Sequence, residues 1–147
     1  MTSSMPIGIW SVKDIDPDQS IPRGSVVIFC PPDTKIFQKA KAEGILHDGS
    51  CAGSYTPLMK QVLGLPGDVI EYVGKFSVNG LEVPNSELLA LGFSEFVSSE
   101  TRRFVVPNGK VWLMSSYSRR SFDGRYFGFV ATSDILGRAR PWLVENF

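Results

Sequence analysis

The chain has 147 residues, 43% apolar and 20% charged, which suits one globular domain with a real core and excludes a disordered chain. Fifteen Lys and Arg balance fifteen Asp and Glu, so the basic excess expected of a nucleic-acid binder is missing. No apolar run approaches the roughly 20 residues of a membrane-spanning helix, and no signal-peptide pattern stands out.

The chain opens on TSSMPIGIW (2–10), three hydroxyl residues followed by Met5-Pro6 and Gly8. GSVVIFC (24–30) reads as a buried strand. DTKIFQKAKAEGIL (33–46) reads as a helix, with Asp33 or Thr34 as cap, Ile36, Phe37 and Ala40 on one face, and Gly44 as stop. It lies between the only cysteines, Cys30 and Cys51. An even count fits either a disulfide or two buried thiols. A zinc site would need both cysteines, the single His47 and a carboxylate, and no ligand spacing supports one. DVIEYV (68–73), KFSVNGLEV (75–83), RFVVP (103–107), KVWLMSS (110–116) and YFGFVAT (126–132) read as strands bounded by Pro, Gly and Asn. Asn79-Gly80 marks a two-residue hairpin turn, and NSELLALGF (85–93) a weak helix or turn. The expected fold is mostly β, antiparallel, in a single domain over 1–147 with one helical insertion.

A serine hydroxyl is a poor nucleophile until a base takes its proton. His47, in the polar LHDGSC stretch, reads as an exposed loop residue. A lysine can serve if burial keeps its amine neutral. Lys13, Lys35, Lys39 and Lys41 have polar or charged neighbours. Lys60 differs: in PLMKQVLGLPGD, strand alternation puts Leu58, Lys60 and Val62 on one face. Such a lysine either snorkels to water at an edge or is buried for a purpose.

Three segments, in order, resemble the type I signal peptidases. KQVLGLPGD (60–68) resembles their lysine box, SMP (4–6) their nucleophile box, and SFDGR (121–125) their Ser-x-Asp-Ser-Arg box, with Gly128 in place of its trailing Gly. Ser4, Pro6, Gly8 and Trp10 follow the spacing of the conjugative branch that matures pilins. The chain departs from the pattern at Gln61, at Gly124 and at Ser115-Ser116-Tyr117, where the family has Arg, Ser and Gly-Asp-Asn.

The resemblance implies a signal-peptidase-like β fold, with a smaller β subregion inserted over about 74–103. It implies a Ser4/Lys60 dyad, an oxyanion hole from the Ser4 N–H and the Thr2 hydroxyl, and Ser121 orienting the lysine amine. Asp123 and Arg125, two apart and assigned to one strand, would form a structural pair. Met5, Ile7 and Leu58 would flank an extended peptide added as a strand. The branch also implies a Cys30–Cys51 disulfide. No cofactor, metal or nucleic acid is implied. The expected partners are a pre-protein, above all a pilin precursor, and the membrane surface on the periplasmic side, reached through an anchor preceding this sequence. Water or the substrate's own N-terminus could resolve the acyl-enzyme. A general leader peptidase, a self-cleaving repressor and an inactive β-rich scaffold are the rival readings. The repressor would need a helical DNA-binding domain, which this sequence lacks.

Overall fold

The computed structural model describes residues 4–16, 18–89 and 102–145. In chain order its elements are β1 (Gly8–Asp14), β2 (Val26–Phe29), α1 (Lys35–Ala42), β3 (Asp48–Cys51), β4 (Leu58–Gly64), β5 (Val69–Tyr72), β6 (Phe76–Val78), β7 (Leu81–Glu82), β8 (Arg102–Val105), β9 (Lys110–Met114), α2 (Gly124–Phe127), β10 (Val130–Ala131) and β11 (Ile135–Val144). All the paired strands of two sheets run antiparallel. The larger sheet has the order β1-β11-β2-β4-β9-β10 and the smaller β7-β6-β5-β8.

After Lys110, β9 is apolar throughout (VWLM, 111–114) because it is covered on both faces. Val111 and Leu113 enter one core with Val27, Phe29, Phe37 and Val62. Trp112 and Met114 enter a second core with Ile70, Phe76 and Val78 of the smaller sheet. One central strand thus feeds both cores by period-two alternation. The hairpin at Asn79-Gly80 forms as its sequence demands: the two residues adopt φ of 50° and 82°, and Val78 pairs with Leu81.

α1 is shorter than the 33–46 segment, and of the two expected caps Thr34, not Asp33, takes the position. Thr34 occupies the N-cap without a side-chain bond. Asp33 instead accepts hydrogen bonds from the Tyr55 hydroxyl (2.7 Å) and Gln38 (3.2 Å). Phe37 and Ala40 are buried, and the chain turns at Gly44, φ 76°. Cys30 and Cys51, 21 positions apart, are joined in a disulfide across the base of this excursion.

Three local expectations need correction. Asp123 and Arg125 do not sit on a strand: Asp123 caps α2, so residues 124–127 of SFDGR and YFGFVAT are helical and only Val130–Ala131 is strand. The cap wins because its carboxylate accepts from the Arg125 N–H (3.2 Å), and Gly128 at φ 77° ends the turn. Residues 85–89 are not helical, and the rest of NSELLALGF lies outside the described residues. LHDGSC contains the short strand β3, bridged to Tyr55.

Candidate active site

Lys60 lies at the middle of β4. Cross-strand pairing sets Val27 opposite it, and Leu58 and Val62 flank it on the same face. Only 3% of the residue is exposed. Among the described residues its side-chain amine makes no ion pair or hydrogen bond. Burial lowers its pKa from 10.5 to about 8; Asp123 raises it and Arg125 lowers it, each by a smaller amount. The apolar face that the sequence suggested supplies this desolvation.

Ser4 is half-buried at the start of the described chain. Three bonds hold the segment after it. The Ser115 hydroxyl donates to the Ser4 carbonyl. The Trp10 indole N–H donates to the Pro6 carbonyl (3.2 Å), and the Glu145 N–H to the Ile7 carbonyl (3.0 Å). Met5 packs with Val26 and Ala139 in a small core of its own.

Ser4 and Lys60 line the same two cavities. One, of about 120 Å³, is walled by Ile45, Leu46, His47, Thr56, Leu58, Arg120 and Phe122. The other, of about 490 Å³, is a groove between Met5-Pro6-Ile7-Gly8 and Pro57-Leu58-Met59. Met5, expected as a substrate contact, lines this groove from a position only 4% exposed, while Ile7 is 66% exposed. Residues Leu58–Lys60 pair with β2 on one side; the β9 ladder begins only at Gln61. The other edge of this stretch therefore carries no β9 ladder.

Ser121 is buried, 1% exposed, and its hydroxyl has no hydrogen-bond partner among the described residues. Its neighbours Arg120 and Phe122 both line the smaller cavity. An unsatisfied buried hydroxyl costs about 1–3 kcal/mol, so its persistence asks for a reason. Thr2 lies outside the described residues.

Asp123 and Arg125 are fully buried and paired through Nε–Oδ1 (2.8 Å) and Nη2–Oδ2 (2.9 Å). Arg125 also donates to the carbonyls of Asn85, Glu87, Arg119 and Ser115. The pair fastens the 115–125 loop to the smaller sheet's flank. Gly124 between them answers one departure from the family pattern. A Cβ there would stand 2.7 Å from the Leu113 carbonyl oxygen, so a serine does not fit this backbone.

Two contacts escaped the sequence reading. Gln61 accepts from the Ser116 N–H (2.9 Å) and hydroxyl (2.8 Å), and Ser115 holds Ser4. Both are positions where the chain departs from the family pattern, and that departure was the available signal.

Residues 1–143 match the family described as signal peptidase, peptidase S26. A conjugal transfer protein TraF of Agrobacterium tumefaciens is 36% identical over 141 residues, covering 96% of this chain and 78% of that protein. A plasmid transfer protein TraF of Escherichia coli is 34% identical over 145 residues, covering 97% and 80%. Among solved structures, a signal peptidase I of Enterococcus faecalis is similar with a TM-score of 0.48 at 20% identity, covering 82% of this chain and 97% of that one.

Proposed function

The chain belongs to the signal peptidase family, peptidase S26, on the branch of the TraF conjugal transfer proteins, and from this premise we propose that it is a Ser4/Lys60 peptidase acting on a pilin precursor. The observation that carries the reading is Lys60: a buried amine with no ion pair among the described residues, in the cavities that Ser4 also lines. The neutral amine takes the Ser4 proton as Oγ attacks the scissile carbonyl, then passes it to the leaving nitrogen. The Ser4 N–H and the Thr2 hydroxyl are the proposed oxyanion donors. Ser121, with its hydroxyl free, is the proposed orienter of the amine.

The substrate enters as an extended strand in the groove between Met5–Gly8 and Pro57–Met59, where the edge of Leu58–Lys60 is open toward it. Its proposed place of work is the periplasmic face of the inner membrane, where a disulfide persists. Exposed Ile7 lines the groove, and exposed Ile9, Trp142 and Leu143 lie on β1 and β11, with Ile9 paired to Leu143; these apolar side chains suit a membrane surface. No helix among the described residues is long and apolar enough to cross a membrane.

The test is mass spectrometry of a conjugative pilin precursor incubated with membranes carrying the protein. Wild type is expected to cleave it, and Ser4→Ala and Lys60→Ala each to abolish cleavage while keeping the fold. Activity surviving in either variant defeats the dyad. The product's mass also separates two fates of the acyl-enzyme. Hydrolysis gives a linear product, and attack by the substrate's own amine gives a cyclic one lighter by one water.

A further inference from the structure

Ser115 follows the last residue of β9 and is fully buried. Its hydroxyl donates to the Ser4 carbonyl and accepts from the N–H groups of Tyr117 (3.1 Å) and Ser118 (3.2 Å). A hydroxyl has one proton and two lone pairs. Both amides are donors, so the single proton is committed to Ser4. The Ser115 backbone is held as firmly: its N–H donates to Asp123 Oδ2 (3.0 Å), and its carbonyl accepts from Arg125 Nη2 (3.2 Å).

We propose that Ser115 is a positioning residue that clamps the backbone of the Ser4 nucleophile to the buried Asp123–Arg125 pair. The inference rests on the Ser4/Lys60 reading above. Fixing the Ser4 carbonyl, with Met5 packed beside it, fixes the planar Ser4–Met5 peptide unit and with it the position of the Ser4 Cα. That position sets how far the Ser4 side chain stands from Lys60. The glycine that the family pattern places here has no side chain and cannot form this tether. The chain has exchanged it for a hydroxyl where the nucleophile's segment meets the 115–125 loop.

Ser115→Ala removes the donor and keeps the volume nearly unchanged, and Ser115→Cys retains a weak one. In pilin-precursor cleavage by the full-length protein, Ser115→Ala is expected to lower kcat about ten-fold or more, since small misplacements of reacting groups cost up to about 100-fold. KM should stay within about two-fold of wild type, because the groove itself is untouched. Ser115→Cys should fall between. A readout independent of turnover is the ¹³C resonance of the Ser4 carbonyl, which should shift in Ser115→Ala. Wild-type kcat in Ser115→Ala, an unshifted Ser4 carbonyl, or a loss of kcat that follows thermal stability alone overturns the proposal. Should Ser115→Ala fail to fold, Ser115→Cys decides by the same two readouts. Failure of the Ser4→Ala and Lys60→Ala controls to abolish cleavage would instead defeat the underlying reading.

Discussion

Lys60 makes the stability of the protein depend on pH in a direction that can be worked out. Its folded pKa is about 8, against 10.5 for the ordinary group. The folded protein therefore releases this proton before the unfolded chain does. Between the two values the unfolded state binds more protons, and stability rises with pH across that window. Below about pH 8 the full cost of burying the ammonium is present, at most about 3 kcal/mol at about 1.4 kcal/mol per pKa unit. Lys60→Met should therefore raise the melting temperature at pH 7, with a gain that shrinks as pH rises toward 10. A gain independent of pH would mean that the charge is not its source. For cleavage the same pKa predicts that kcat/KM climbs through about pH 8 as the neutral amine accumulates. The lysine's apolar surroundings were legible from alternation in PLMKQVLG. The departure from the family pattern marked Ser115, but not its role, because a hydroxyl's partner 111 residues away cannot be read from its neighbours.

Among the elements, the α1 excursion does the most to shape the site. Its exit supplies Ile45, Leu46 and His47 to the wall of the smaller cavity. The Cys30–Cys51 disulfide closes its base, and Lys41 holds its far side through the carbonyls of Gly53 (3.2 Å) and Ser54 (3.0 Å). Removing the disulfide as Cys30→Ala/Cys51→Ala should cost about 3 kcal/mol on the chain-entropy account. Denaturant unfolding measures it, and an unchanged midpoint would show that the packing of Phe37 and Ala40 suffices. Because the wall loosens more than the Ser4–Lys60 pair, KM is expected to rise more than kcat falls. The helix itself was readable from its apolar spacing and Gly44. Its capping was not, because Tyr55 competes for the Asp33 carboxylate. α2 reverses that case: its residues favour a strand, and the Asp123 cap overrides them.

In the molecule as a whole, β9 of the larger sheet packs one face against the smaller sheet, and the two sheets are joined again at Asp68. Its carboxylate accepts from both terminal nitrogens of Arg23, from the Leu65 N–H (2.7 Å) and from the Asn79 side chain (2.9 Å). It thus binds the turn after the lysine strand to the hairpin of the smaller sheet. Arg23 foremost, then the other donors, lower its pKa from 3.8 to about 2. A depressed carboxylate stabilises the fold above its unfolded pKa and loses that contribution as pH falls toward 2. Asp68→Asn is expected to cost about 1–2 kcal/mol at neutral pH, with Arg23 half-exposed to solvent, and to flatten the acid limb of the unfolding curve between pH 4 and 2. Equal acid sensitivity in the variant would rule out this linkage. The mostly β class, the 79–80 turn and the lysine in its apolar frame could all be read directly, since each rests on contacts a few residues apart. β1 and β11 gave no such signal. Their outward faces carry Ile9, Trp142 and Leu143 as well as Lys13 and Arg140, so the alternation that marks a half-buried strand is blurred. Long-range pairing makes them strands, β1 on β11 from the opposite end of the chain and β11 in turn on β2. The same long-range closure brings Ser4 to the cavities of Lys60. The order of residues names the two groups, and folding alone puts 56 positions of chain between them into one cleft.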